Sequence, residues 1–132
     1  MLRLLPLDES LAVPPPEPAN FIGRVRMQNL SAAGGTDEVE YFAVYFDAGA
    51  HTRPHTHATD QVLLYLSGTG FVWVAGEDRQ LVAPGTVVAV PAGVVHMHGA
   101  TDDEPICHIA VRAPGPADWN PPVPDDWRQY QR

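Results

Sequence analysis

Glycine and proline punctuate the chain at short intervals. Ser67-Gly68, Gly76-Glu77-Asp78, Ala83-Pro84-Gly85, Pro91-Ala92-Gly93 and Asp102-Asp103-Glu104-Pro105 all carry turn-forming residues. The segments around these turns hold four to seven residues. That is too short for a packed helix and suits strands. Residues rich in β-branched and aromatic side chains fill them: Gln61 to Leu66, Gly70 to Ala75, Arg79 to Val82, Thr86 to Val90, Val94 to His98 and Ile106 to Arg112. Phe21 to Met27 and Glu38 to Phe46 precede them, the latter with Tyr41, Ala43 and Tyr45 on one face. No helical period longer than two turns is visible. An all-β sandwich or barrel is expected.

The ends read differently. Residues 1–20 hold five prolines, four of them between Pro14 and Pro18. Such a segment is barred from helices and central strands, so it is read as an arm. Residues 113–132 carry Pro114, Pro116, Pro121, Pro122 and Pro124, with Trp119 and Trp127 between them. The tryptophans point to a tail that docks on the barrel or on a partner subunit. The chain thus divides into an arm (1–20), a barrel (21–112) and a tail (113–132).

Charge and cysteine narrow the function. The net charge is −8, and all eight basic residues are arginines. Without lysine there is no Schiff-base chemistry, and an acidic chain makes no nucleic-acid partner. The single cysteine, Cys107, excludes an internal disulfide. Its parity is opposite to that of His108, so an outward position is expected. Met1 to Leu7 is broken by Arg3 and Pro6, too short for a signal core. No run approaches a membrane span. A cytoplasmic protein is expected.

All six histidines fall between residues 51 and 108. On a strand, side chains two apart share a face. His55 and His57 therefore point one way together, and so do His96 and His98. Two such pairs on separate strands are a metal-site pattern, since neutral imidazole is the commonest metal ligand. Hydrogen-bonded interior histidines without a metal are the competing explanation.

The spacing Gly49-x5-His55-x-His57-x3-Gln61-x6-Gly68, followed by Gly85-x5-Pro91-x-Gly93-x2-His96-x3-Ala100, resembles the two cupin motifs. Gln61 stands where most members have Glu, and Ala100 where Asn is usual. The resemblance implies a jelly-roll barrel of two antiparallel sheets. It also implies one divalent metal ion per chain, held by His55, His57, Gln61 and His96. The departure at position 100 is read as falling on a turn. The departure at 61 raises the net charge of the site by one, making the cation a stronger Lewis acid. A three-histidine centre without Gln61 remains open.

His96-Met97-His98-Gly99-Ala100-Thr101 and Cys107-His108-Ile109-Ala110 narrow the likeness to small manganese-containing bacterial cupins, some of them hydroxynitrile lyases. By that likeness the metal is manganese, although iron, nickel and zinc suit the same donors. His98 is then a catalytic base that does not bind the metal, in uncrowded surroundings beside Gly99 and Ala100. His108 is a second catalytic residue of the cavity. The resemblance leaves lyase or isomerase chemistry open beside dioxygenase chemistry on a small-molecule substrate. A non-catalytic binding or sensor cupin is the alternative. Arg53 is read as a solvated loop charge. Arg112 either lines the cavity, where it meets an anion, or lies beyond the rim. Tyr65 shares the parity of Gln61. A homodimer that uses the N-terminal arm is expected, since exposed sheet edges tend to be covered.

Overall fold

In the computed structural model, residues 2–131 are described. The strands are β1 (Phe21–Ile22), β2 (Val25–Asn29), β3 (Glu40–Phe46), β4 (His51–Thr52), β5 (Thr56–His57) and β6 (Gln61–Ser67). They continue with β7 (Gly70–Val74), β8 (Gln80–Val82), β9 (Val87–Val90), β10 (His96–Ala100), β11 (Ile106–Arg112) and β12 (Ala117–Asp118). A short α-helix, α1 (Leu30–Gly34), follows β2, and 3-10 turns lie at Glu9–Leu11, Pro18–Asn20 and Asp125–Gln131. Every strand pairing is antiparallel. One sheet has the order β1-β4-β10-β7-β8, and the other β2-β3-β11-β6-β9. A third, two-stranded piece joins β12 to β5. This is an all-β jelly roll, as the turn spacing and the motifs predict.

Three details depart from the expected strands. Phe21 to Met27 is two strands, not one. Gly23 sits at φ +79° and packs against Ala50, where a Cβ would come within 2.9 Å of the Ala50 Cβ. The chain bends there and crosses from one sheet to the other. The strand expected over Val94 to His98 is shifted to His96–Ala100, because Val94 closes a turn to Pro91. Ala100 is consequently a buried strand residue opposite Gly70, not a turn residue.

Alternation along the strands builds the core. Phe42, Val44 and Phe46 of β3 face inward, so Tyr41 and Tyr45 belong to the outer face. Val25, Val44, Phe46, Leu63, Tyr65, Val82, Ile106 and Ala110 pack into one cluster between the sheets. A second cluster covers the outside of the β10–β7 pair, where Trp127 of the tail joins Phe71, Trp73 and Met97. The N-terminal arm lies along the free edge of β2. Val13 and Met27 exchange backbone hydrogen bonds of 3.0 and 2.8 Å, and Glu9 pairs with Arg26 at 2.9 Å. Among the described residues no helix is long and apolar enough to cross a membrane.

All six histidines are buried with this core. Burial is the largest cause of a lowered pKa for each of them. His108 falls to about 3 and His57 to about 4, the latter helped by the Arg112 charge. His51, His55, His96 and His98 are lowered too. The folded chain therefore resists protonation that the unfolded chain accepts near pH 6.5. Stability is complete above that pH and is lost as pH falls toward the folded values. Each such histidine contributes a slope of up to about 1.4 kcal/mol per pH unit. Urea unfolding of chelator-stripped protein should show the midpoint dropping steadily from pH 7 to pH 5. His108→Phe should flatten that slope by about one proton. Equal midpoints at both pH values would contradict the buried neutral state.

Candidate metal centre

Backbone pairing brings the two His-x-His segments together. His55 and His96 exchange hydrogen bonds of 2.9 and 3.0 Å as an isolated bridge. Their rings lie 4.2 Å apart between centroids. The period of two then brings in His57, 4.8 Å from His55 and 5.4 Å from His96. It also brings in His98, 5.6 Å from each of the same two rings. One nitrogen from each of His55, His96 and His98 lies within 4.8 Å of the others, close enough to share a metal ion. Gln61, the first residue of β6, places Oε1 3.4 Å from Nε2 of His96.

The tautomers follow from the outer partners. Nδ1 of His55 lies 2.8 Å from the Arg53 carbonyl, and Nδ1 of His96 lies 2.9 Å from the Val94 carbonyl. A carbonyl only accepts, so both Nδ1 atoms carry the proton. Both Nε2 atoms keep a free lone pair, the arrangement that fixes histidine ligands in metal sites. With Gln61 oriented as it is, its carbonyl oxygen and Nε2 of His96 are two acceptors facing each other. Neither can donate. Among the described residues, neither nitrogen of His57 nor Nδ1 of His98 has a hydrogen-bond partner, so the lone pair of the His57 ring is also unmet. Buried lone pairs of this kind are costly unless something electropositive meets them. A divalent cation fits the donor set.

The structure thus gathers the residues expected from the sequence but groups them differently. His55 and His96 belong to both sets. The triad whose nitrogens lie within 4.8 Å of one another adds His98, whereas the sequence motif adds His57 and Gln61. His98 is not in open surroundings. Its backbone N–H donates to Thr52 Oγ1 at 3.1 Å, and Gly99 is pressed against the Ala50 and His51 backbone, leaving no room for a Cβ. His108 lies 5.2 Å from His98 and 5.2 Å from Tyr65, fully buried, with neither nitrogen partnered. His51 stands apart, bound to the Thr52 carbonyl and turned toward Phe71.

A cavity of about 120 Å³ opens beside this cluster. His55, His57, Gln61, His98 and His108 form its polar side. Phe21, Met27, Phe42, Val44, Phe46 and Trp119 form an apolar one. Phe46 stands edge-on to both His98 and His108, at 6.0 and 5.3 Å. Arg112 reaches the rim and there meets an anion of its own chain, Glu40, at 3.2 Å. Arg53 points away and lies over the Trp127 ring. Cys107 faces outward beside Tyr45, and burial raises its thiol pKa. Thr52 and Trp119 carry no mark in the sequence that would tie them to the cavity, since only the fold brings them there.

Comparison with known proteins agrees with this geometry. Residues 42–112 match the family model described as the cupin domain. The (R)-mandelonitrile lyase of Granulicella tundricola is 36% identical over 115 residues, covering 85% of this chain and 86% of the relative. A cupin-like protein from Thermotoga maritima superposes with a TM-score of 0.73 at 33% identity, over 83% of this chain and 86% of that one. A polyketide cyclase from Streptomyces resistomycificus shares the fold, with a TM-score of 0.67 at 18% identity over 77% and 74% of the two chains. The motifs, the two-sheet barrel and these matches agree: the chain belongs to the cupin domain family.

Proposed function

We propose that this protein is a metal-dependent lyase that cleaves the carbon–carbon bond of a small α-hydroxynitrile. The observation that carries the reading is the convergence of buried imidazoles, with one nitrogen each of His55, His96 and His98 within 4.8 Å of the others and Gln61 beside His96. The (R)-mandelonitrile lyase relative supplies the substrate class.

His55, His57, Gln61 and His96 would hold the cation. When bound, a divalent ion supplies Lewis acidity toward a hydroxyl or carbonyl oxygen. His98 takes the hydroxyl proton, as an imidazole with an unpartnered Nδ1, beside the ligands and on the cavity wall. The oxygen's electron pair then forms the carbonyl, and the breaking carbon–carbon bond leaves its electrons on cyanide. His98 returns the proton to give hydrogen cyanide. His108, with both nitrogens free, stabilises the protonated ring of His98. Phe46 holds both imidazoles edge-on, and the apolar wall keeps water from the developing charges.

Two variants test this reading. The His55→Ala/His96→Ala double variant should lose its metal, read by elemental analysis. Metal content equal to that of the wild type would remove these residues as ligands. His98→Ala should keep its metal and its fold but cleave cyanohydrins roughly a hundredfold more slowly, the scale of a lost acid–base group. Loss of metal with His98 would instead make it a ligand, completing the tight triad.

A further inference from the structure

The family match ends at residue 112, yet the cavity does not. Every other residue lining it lies in β11 or before it, and Trp119 comes from the tail. Its indole lies flat on the His55 imidazole, 4.0 Å between centroids and 17° between planes. Phe21 meets it at 5.7 Å from the opposite rim. The side chain is half-buried, so it forms the boundary between cavity and solvent.

The tail is tied down on both sides of this residue. Before it, Thr59 Oγ1 donates to the Ala113 carbonyl at 3.0 Å, and Arg112 donates to the Gly115 carbonyl at 3.0 Å. Ala58 N–H donates to the Pro116 carbonyl at 3.1 Å. The β12–β5 pairing then sets Ala117 opposite His57 and Asp118 opposite Thr56. After it, Asp118 accepts the Asn120 N–H at 2.8 Å, and Trp127 is buried in the outer cluster. The tail is a strap, and Trp119 is the part of it laid across the mouth.

We propose that Trp119 is the specificity-determining residue of this cavity, its indole forming the outer wall that limits the size of the group a substrate carries. The inference rests on the cavity being the substrate site proposed above. A cavity of about 150 Å³ accepts benzene, so the 120 Å³ here, polar along its histidine side and open to solvent at the mouth, is on the scale of one six-membered ring. Most of the other walls are strand residues of the two sheets, while His55 and His57 come from the bridge to β10 and from β5. Trp119 follows the two-residue β12 in the strap, and removing its indole opens the cavity without removing a donor to the metal.

The test uses manganese-loaded wild type, Trp119→Ala and Trp119→Phe, with calorimetric binding of benzaldehyde and of naphthaldehyde, and metal content measured on each sample. Wild type should bind benzaldehyde more tightly. Trp119→Ala should shift the ratio toward naphthaldehyde by about tenfold, the scale of a change in one pocket wall, at unchanged metal content. Trp119→Phe should fall between them. An unchanged ratio in Trp119→Ala would overturn the proposal. So would loss of metal from both variants, or failure of wild type and Trp119→Ala alike to bind either aldehyde. Binding is read without turnover. A shifted ratio in a protein that cleaves no cyanohydrin would reject the lyase reading and leave the assignment of Trp119 standing.

Discussion

The reciprocal backbone hydrogen bonds between His55 and His96 are the interaction on which the site depends. They bring together two segments 41 residues apart in sequence and fix their rings 4.2 Å from each other. Each ring is then turned by the carbonyl two residues before it, Arg53 for one and Val94 for the other. Strand periodicity does the rest: His57 and His98 arrive on the same face because each lies two residues beyond a paired histidine. Even the strap is registered on this pairing, since β12 reads its position from His57.

Burial then gives the arrangement its chemistry. Neutral imidazoles at the surface would be ordinary. Enclosed between sheets, they are bases that the folded chain keeps unprotonated, with lone pairs aimed at a common point. A cation bound among His55, His96 and His98 would offset the cost of burying them. Phe42, Val44 and Phe46 alternate with the outward tyrosines of β3, so one strand supplies both the dry side of the cavity and the edge-on contact to His98 and His108.

Much of this was legible in the sequence, for physical reasons that can be named. Turn residues at short intervals exclude helices, and the period of two predicts which histidines share a face. The motif spacing carried the barrel and pointed to His55, His57, Gln61 and His96, which the fold brings near one another. What the sequence could not show depended on contacts across the fold. Gly23 is a sheet-crossing corner because Ala50 presses on it. Ala100 reads as a turn residue by likeness, yet it is paired inside β10. Gly99 reads as open space, yet the backbone of Ala50 and His51 fills it. Trp119 announces a docked tail but not its partner, because stacking on His55 requires β12 to have found β5 first.

Whether buried imidazole nitrogens hold a divalent cation is decided by pulsed electron–nuclear spectroscopy of the manganese-loaded protein, with histidine labelled by nitrogen-15. Strong hyperfine couplings from three imidazole nitrogens are expected, from His55, His96 and a third ring of the same cluster. A manganese ion bound only by water and carboxylate oxygens, with no histidine nitrogen in contact, would contradict histidine ligation.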